Sequence, residues 1–374
     1  MSLFEEVRAF AQCHVAPYTV QADRDGVFPK EAYDALKKEG HTSLLVPKEY
    51  GGREGSIVDH VETCMALGSV CATTALCYMM HNVATMSIVA FGTQEQKAFY
   101  LPKIAAGEIA LALAFSETGT GTHFYNPEIK AEKMAEGYRL NGKKSFVTSA
   151  HHADYYLVLA ANPEGEGLSV FSTPKNMEGL RHDDVAWDGL GMRGNASVPV
   201  YYENVSVSNE HLIGAHGDGV GIVFSVVAPF FILGLASVYT GLSFAASTCV
   251  IEHAVSRAYT DGSTLSQIET VQLHIAELYT SSCASKALTL MAAQAALEGR
   301  SDALALIISA RLESSTNVID VCSRAMKIGG GHAYSKRLPL ERYLRDAYAA
   351  GIMAPSTDVL SIWLGKALTG QQIP

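Results

Sequence analysis

The spacing of apolar residues divides the chain into three parts, and the first part has the period of α-helices. From the start to about residue 107, apolar side chains recur every three or four positions, as at Leu3, Val7 and Phe10. This spacing places them on one face of a helix. The pattern is interrupted at Pro17, Pro29, Pro47 and Gly51-Gly52. Residues 1–107 are therefore predicted to form an N-terminal α-helical domain of several helices.

The second part, residues 108–219, changes to short runs rich in Val, Tyr, Phe and Leu, separated by Gly, Asn and Pro. Such runs are typical of β-strands. Asn141-Gly142 predicts a tight turn after the first run, because both residues tolerate a positive φ. Strands are predicted at 138–140, 155–161, 168–172, 198–202 and 205–207. These observations predict a middle β-domain.

The third part returns to the helical period in long segments at 220–259, 265–298 and 302–327. Long, alanine-rich helices joined by short links are typical of helical bundles. Residues 220–374 are therefore predicted to form a C-terminal α-helical bundle. The predicted fold class is α+β, with an N-terminal helical domain, a middle β-domain and a C-terminal helical bundle.

Composition and charge exclude several classes of function. The chain has 374 residues, of which 48% are hydrophobic and 18% charged, so it is long enough for a packed core and more than one domain. A net charge of −10 with no basic run argues against a nucleic-acid partner. Its seven scattered cysteines match neither a disulfide framework nor a zinc motif. No metal site is predicted, and His151 and His152 are expected on a solvated loop.

The sequence gives no sign of a membrane or a secretory pathway. The longest apolar stretch, 220–238, contains Ser225, Pro229, Gly234 and Ser237, and is predicted to be a buried helix rather than a membrane span. The N-terminus lacks the basic region followed by an apolar region that marks a secretory signal. We therefore predict no membrane partner and a cytoplasmic location.

Short motifs recur along nearly the whole chain in a compatible order. They are LVPKEYGG at 45–52, FGTQEQK at 91–97, FSETGTGTH at 115–123, FVTS at 146–149, GMRG at 191–194, ERYLRD at 341–346 and GIMAPSTD at 351–358. Together they resemble the acyl-CoA dehydrogenases, flavoenzymes that oxidise acyl thioesters. The resemblance implies the helix–sheet–helix order predicted above, FAD as the cofactor, a role in lipid metabolism and assembly as a homotetramer or homodimer.

The resemblance also implies where FAD would lie, namely between the β-domain and the C-terminal bundle. By this likeness, Phe115, Ser116 and Thr122 contact the isoalloxazine, the ribityl chain or the substrate pantetheine, while Phe146 and Thr148 flank the flavin ring. Hydroxyl groups and an aromatic face suit these contacts chemically.

Further cofactor contacts are implied nearer the C-terminus. The resemblance assigns Lys327, Gly330 and Gly331 to the FAD pyrophosphate, which glycine lets a backbone approach closely. It assigns Ser356 and Asp358 to the flavin. The glycines taken alone equally fit a turn that ends a helix. Lys327 stands where the family usually has glutamine, and Ala258 where it has an arginine that grips the pyrophosphate. These departures predict a lower flavin affinity than usual, and the positive charge of Lys327 is an alternative partner for the phosphates.

The most informative departure from the family is Ala354, which stands at the position of the catalytic glutamate. A methyl group cannot remove the α-proton of an acyl thioester. Some relatives carry this base on an earlier helix, but the corresponding residue here is Phe231, and its neighbour Ile232 replaces an arginine that lies close to coenzyme A. His81 is a weak candidate for a replacement base near neutral pH.

Three functions remain open at this stage. The favoured one is a flavin-dependent oxidoreductase of an acyl thioester, linked to coenzyme A or to a carrier protein, with a relocated base such as His81 or Asp358. Its electrons would pass to an electron-transfer flavoprotein or to oxygen. The second is a flavin-dependent monooxygenase of the same superfamily, which needs no such base. The third is a non-catalytic paralogue that keeps the fold.

Overall fold

Helices, then strands, then helices follow one another along the chain, and the predicted fold class is confirmed. The computed structural model describes residues 2–163 and 167–373. The N-terminal helices are α1 (Leu3–His14), α2 (Thr19–Asp25), α3 (Lys30–Lys38), α4 (Ile57–Gly68), α5 (Ala72–Phe91) and α6 (Gln94–Ala105). The strands are β1 (Leu111–Ala114), β2 (Lys130–Lys133), β3 (Tyr138–Val147), β4 (Tyr155–Ala161), β5 (Leu168–Pro174), β6 (Leu180–His182), β7 (Val198–Val207) and β8 (Leu212–Ile213). The C-terminal helices are α7 (Gly219–Ile222), α8 (Ala228–Ser256), α9 (Glu269–Leu297), α10 (Ala303–Tyr334), α11 (Leu340–Ile352) and α12 (Thr357–Leu368).

Polar side chains determine where several N-terminal helices begin. Ser2, Ser56 and Thr93 each cap a helix with a reciprocal side-chain and backbone pair, which satisfies amide groups that have no partner inside the helix. α4 and α8 then pack at very short range. A Cβ on Gly68 would lie 2.5 Å from the backbone oxygen of Val238, so only glycine permits this approach.

In residues 2–163 and 167–373, two helices are long and apolar enough, by length and composition alone, to cross a membrane. They are Ala72–Phe91 and Gly219–Ser256, the second joining α7 and α8 through a π-helical stretch. In the most apolar window of each, 72% and 61% of the residues are buried inside the protein. Both therefore pack as core helices, as predicted for the segment 220–238.

The strands form one mixed sheet in the order β6-β7-β3-β2-β4-β5-β8, with β1 pairing parallel to β4. Its two faces belong to different cores. Along β4, Leu157 and Leu159 join the large apolar cluster of the N-terminal and C-terminal helices, whereas Tyr156 and Val158 join a second cluster on the other face. This alternation is the two-residue period of a strand. The sheet is thereby held against both helical parts.

The prediction of a turn at Asn141-Gly142 is wrong. β3 continues through both residues, and its pairing with β7 shifts register between Leu140 and Gly142. Gly142 has a φ of +147°, and a Cβ there would lie 2.9 Å from Ile129. The unusual φ that Gly142 tolerates thus allows a β-bulge in the pairing of β3 with β7 instead of a turn. The two strands predicted at 198–202 and 205–207 are likewise one strand, β7.

The C-terminal helices match the predicted segments closely, with α8, α9 and α10 forming the bundle. α10 extends past the predicted end at 327 to Tyr334, and Gly330 inserts a kink with a φ of 52°. The limits of the three domains, 1–107, 108–219 and 220–374, stay predictions. α6 and β1 flank the first limit, and the second falls within the first turn of α7.

Candidate active site

A cavity of about 520 Å³ opens where loops of the sheet face the turn between α11 and α12. Its volume falls in the range of small-molecule sites, about 300–1,000 Å³. The loop after β1, the end of β3 with the residue after it, and the segment before β7 supply Ser116, Glu117, Thr118, Gly121, Thr122, Phe146, Thr148, Trp187, Gly191, Met192, Asn195 and Ser197. The helical parts supply Met80, Phe231, Ala349, Ile352, Met353 and Ala354. The cavity is mostly apolar with hydroxyl and amide groups at its rim.

A smaller cavity of about 50 Å³ adjoins the first and is almost entirely apolar. Leu113, Phe115, Phe124 and Val227 line only this smaller space. The two cavities share Met80, Ser116, Phe146, Phe231 and Ala354. Ala354 therefore stands at their junction, where both spaces meet.

The turn that carries Ala354 is tied to the sheet by one long-range hydrogen bond. The backbone N–H of Ser356 donates to the hydroxyl of Thr122 at 2.7 Å. The two predicted site residues thus contact each other across 234 positions of sequence. Because an amide at a helix start has no partner within the helix, this bond both caps α12 and fixes the height of Ala354 in the cavity.

The structure brings only some of the predicted cofactor residues to the cavities. Ser116, Thr122, Phe146 and Thr148 line the larger one, and Phe115 lines the smaller. The remaining predicted residues lie outside both linings: Ser356, Asp358, Lys327, Gly330 and Gly331. Of these, Asp358 and the three residues on α10 are exposed.

Beneath the cavity lies a buried ion pair that sequence reasoning missed. The Lys144 Nζ lies 2.6 Å from Glu117 Oε1, and both side chains are almost fully buried. Lys144 also donates to the backbone oxygens of Phe115 and Leu159, while the carboxylate accepts the N–H groups of residues 128 and 129. Burial lowers the pKa of Lys144 to about 8, against the opposing effect of Glu117. This network fixes the loop after β1 that lines the cavity.

Trp187 forms one wall and was also missed, since it lies in an irregular segment with no periodic pattern. Its ring meets Phe146 edge to face, with centroids 6.0 Å apart. Phe146 remains 58% exposed although it is large and apolar. The indole N–H of Trp187 is buried and has no hydrogen-bond partner within residues 2–163 and 167–373. A flat aromatic ligand with an acceptor atom fits these two side chains.

Unusual backbone conformations cluster around the same cavity. Ser149, Met192 and Ala196 all have positive φ, at 64°, 49° and 51°. Non-glycine residues in this region cost about 1–3 kcal/mol each and gather at functional sites. The N–H of Met192 is held by the carboxylate of Asp346 at 2.5 Å, and burial raises the pKa of Asp346 to about 6. Asp346 thus anchors a loop by a backbone bond.

Comparison with known proteins places this arrangement in a family. Family models for the N-terminal, middle and C-terminal domains of acyl-CoA dehydrogenases match residues 2–108, 112–205 and 233–369. The chain is 30% identical to the mitochondrial isovaleryl-CoA dehydrogenase of Solanum tuberosum, over 98% of this chain and 90% of the relative. The protein belongs to the acyl-CoA dehydrogenase family. Members of this family are FAD-dependent oxidoreductases.

Solved structures agree with this placement. The butyryl-CoA dehydrogenase of Megasphaera elsdenii superposes with a TM-score of 0.92 at 25% identity, covering 98% of this chain and 97% of that one. A prolyl acyl carrier protein oxidase superposes with a TM-score of 0.89 at 25% identity, also covering 98% and 97%. The acyl-CoA dehydrogenase fold is therefore complete across the described parts of the chain.

Within this acyl-CoA dehydrogenase fold, His81 is held as a structural group. Its Nδ1 accepts the N–H of Leu111, and its Nε2 lies 3.0 Å from the backbone oxygen of Thr42. The ring is therefore the neutral tautomer with its proton on Nε2. Burial lowers the pKa of His81 to about 4. His81 lines neither cavity, so the geometry does not support it as a catalytic base.

Among the described residues that line the two cavities, Glu117 is the one with an ionisable carboxyl, amine or imidazole group. Both of its carboxylate oxygens are already engaged, by Lys144 and by backbone N–H groups. At the junction of the two cavities stands the methyl group of Ala354, which cannot accept a proton. The cavity walls therefore present no available proton acceptor of the kind that α-proton removal requires.

Replacing His81 with glutamine is expected to weaken the dependence of stability on pH. The folded protein keeps this imidazole neutral down to about pH 4, whereas the unfolded chain protonates it below about pH 6.5. Between these values the unfolded state binds more protons, so stability falls as the pH falls. The loss in free energy of unfolding between about pH 7.5 and about pH 5 should be about 2 kcal/mol smaller in the variant.

Urea denaturation at the two pH values measures this difference. His14→Gln, which removes an exposed imidazole, is the control for loss of a surface histidine. An identical loss of stability on acidification in wild type and His81→Gln would contradict the structural role given to His81.

Replacing Lys144 with methionine is expected to destabilise the protein by about 3–5 kcal/mol, because the Glu117 carboxylate would stay buried and unpaired. The double variant Glu117→Gln/Lys144→Met should recover part of this loss. Urea unfolding gives both values. The matched control Arg300→Met breaks an exposed pair with Asp302 and should barely move the midpoint. The interpretation fails if Lys144→Met is no more damaging than this control.

Proposed function

We propose that this protein is a flavin-dependent oxidoreductase that acts on an acyl thioester. The observation that carries the proposal is the cavity of about 520 Å³ between the sheet loops and the α11–α12 turn, with a smaller apolar cavity beside it. A flat cofactor in the first space and an acyl chain in the second would meet at Ala354. Bound FAD would accept a hydride from the substrate.

The side chains of the larger cavity fit an isoalloxazine. Phe146 and Trp187 offer apolar faces, and the unpartnered indole N–H of Trp187 offers a donor. Ser116 adds a hydroxyl at the rim, and the hydroxyls of Thr148 and Ser197 lie 2.9 Å apart. Flavin nitrogen and oxygen atoms need such donors, since buried polar groups are normally hydrogen-bonded. These residues would bind and orient the ring without titrating.

The pyrophosphate contacts are proposed to come from a second copy of the chain. Lys327, Gly330 and Gly331 are exposed on α10 and do not line the cavity of their own chain. Tyr334 at the end of the same helix is 87% exposed, and large exposed apolar groups favour an interface between copies. A homotetramer or homodimer would let one copy complete the FAD site of another.

The substrate is proposed as an acyl thioester carried by coenzyme A or by a carrier protein. Both carriers occur in the names of similar proteins, an isovaleryl-CoA dehydrogenase and a prolyl acyl carrier protein oxidase. Phe231 and Phe124 close the smaller cavity with apolar rings, which favours a short acyl group. The electron acceptor is proposed as an electron-transfer flavoprotein or oxygen, and the location as cytoplasmic.

A flavin-dependent monooxygenase is the second candidate, and one observation favours it. With Ala354 at the junction and Glu117 already paired, the described walls supply no group to take an α-proton. A reaction that starts from reduced flavin and oxygen has no need of such a group. The non-catalytic alternative is disfavoured by a cavity of cofactor size whose walls match a flavin.

The purified protein is expected to bind FAD and to show a flavin absorbance spectrum. Anaerobic addition of acyl thioesters on coenzyme A and on a carrier protein should bleach that spectrum if the dehydrogenase proposal is correct. Turnover only with a reductant and oxygen would support the monooxygenase instead. The variant Phe146→Ser should lower FAD retention. The control Phe99→Ser changes an exposed phenylalanine on α6 that lines neither cavity and should leave FAD retention unchanged. A colourless protein that takes up no added FAD would sink both proposals.

Replacing Ala354 with glutamate is expected to speed flavin reduction by an acyl thioester. A positioned general base contributes about 10²–10⁴-fold, and position 354 lies at the junction where such a base would reach both spaces. Stopped-flow absorbance under anaerobic conditions measures the rate. Ala354→Gln, which has the same size and no basic oxygen, is the matched control. Equal rates in the two variants would show that position 354 does not face the substrate α-carbon.

A further inference from the structure

A second polar cluster lies outside the cavity, at the edge strand of the sheet. His182 ends β6, Asp184 follows two residues later, and His151 lies in the turn after β3. One ligand atom from each of these three side chains lies within 4.8 Å of the other two. The two imidazole rings are tilted by 42°, with centroids 4.4 Å apart.

The two imidazoles each present an unpaired nitrogen to this cluster. His151 Nε2 and His182 Nδ1 are both buried, and neither has a hydrogen-bond partner in the described parts of the chain. Buried polar atoms are nearly always hydrogen-bonded, so two unpaired nitrogens side by side call for a common partner. Two imidazole nitrogens next to a carboxylate form a set of ligand atoms that one cation can bind at the same time.

The third member of the cluster is a carboxylate that is free to move. Asp184 is exposed, so its carboxylate can rotate toward the rings at little cost.

We propose that His151, His182 and Asp184 form a binding site for a divalent transition-metal ion, with Zn²⁺ as the best match. Two nitrogen ligands and one oxygen ligand suit zinc, whereas magnesium and calcium prefer oxygen ligands throughout. Zn–N bonds of about 2.0–2.1 Å bring tetrahedral ligand atoms to roughly 3.3 Å from one another. The three atoms need to close only modestly from their present spacing. Water would fill the fourth position.

The ion would act on the walls of the active-site cavity rather than on the substrate. His151 lies three positions after Thr148, and Asp184 lies three positions before Trp187. Thr148 and Trp187 both line the cavity. A metal bridge would therefore join the turn after β3 to the segment after β6 and hold both walls together. It would be a structural site, separate from FAD and the substrate.

Neither the spacing nor the composition of the sequence indicates this site, and no metal is predicted there. The ligands lie at 182 and 184, two positions apart, and at 151, which is 31 positions before 182, a pattern that no short motif contains. Only the sheet, which places the end of β3 and the end of β6 on either side of β7, brings the three side chains together.

Isothermal titration calorimetry of tag-free protein with ZnCl₂ tests the proposal. Wild type should bind one Zn²⁺ per chain. Loss of a supporting residue outside the ligand set already costs about 10–100-fold in metal affinity, so His182→Gln and Asp184→Asn should each bind at least about 100-fold more weakly. Zinc should also raise the melting temperature of wild type, and Co²⁺ should give a visible spectrum in wild type that the two variants lack.

Two neighbouring substitutions serve as matched controls. His152→Gln removes the adjacent imidazole, which stacks on Phe28, and Asp183→Asn removes the adjacent carboxylate, which accepts from Tyr201. Both should bind Zn²⁺ as wild type does. Asp184→Asn changes an exposed side chain and should fold even if His182→Gln does not. Binding that persists equally in Asp184→Asn, as it would if Zn²⁺ bound the exposed Cys13, overturns the proposal, as does wild type that binds no zinc.

Discussion

The buried pair of Lys144 and Glu117 is the interaction on which the active-site cavity depends. Taking two charges out of water is costly, and the cost is offset only when the remaining donors and acceptors are also satisfied. That condition is met here. All three donors of the ammonium group have acceptors, at Phe115, Glu117 and Leu159, and the carboxylate also accepts two backbone N–H groups. The charges therefore join β1, β3 and β4 beneath the loop that lines the cavity.

Two other side chains around the cavity also form hydrogen bonds to backbone groups that are distant in sequence. Thr122 accepts the N–H of Ser356, and Asp346 accepts the N–H of Met192 across 154 positions. Gly191 allows α11 to approach this loop, since a Cβ there would overlap the backbone at Arg345. Each bond joins a sheet loop to the C-terminal helices. The cavity is thus fixed by contacts between parts that are remote in sequence.

Sequence reasoning succeeded where structure follows from local pattern. The long helices and β4 repeat their apolar period over many residues, and such periods survive tertiary packing. It failed where the same local preference for unusual φ fits two different structures, a turn and a β-bulge. Asn141-Gly142 favours unusual φ, but the pairing of β3 with β7 uses it in a bulge. Short strands such as β2, in which Ala131 is the buried residue, carry too little pattern to be predicted.

For the site, Thr122, Phe146 and Ala354, which the motif likeness groups together, line one cavity, and their roles toward FAD stay predictions. It could not indicate Trp187, which has no periodic neighbours, or the partners of His81. Whether a histidine is a base or a structural group depends on what its two nitrogens contact, and here those contacts come from Thr42 and Leu111. Such partners are set by packing between α5 and β1. The partners of His81 therefore cannot be predicted from the spacing of residues along the sequence.

The strained frame of the cavity and the small side chain of Ala354 together bear on function. Positive φ at Ser149, Met192 and Ala196 costs about 1–3 kcal/mol at each residue, and the buried ion pair carries a desolvation cost of its own. Within this frame the small side chain of Ala354 stands at the junction of two spaces. Strained residues of this kind gather at functional sites, and the methyl group of Ala354 cannot itself remove a proton.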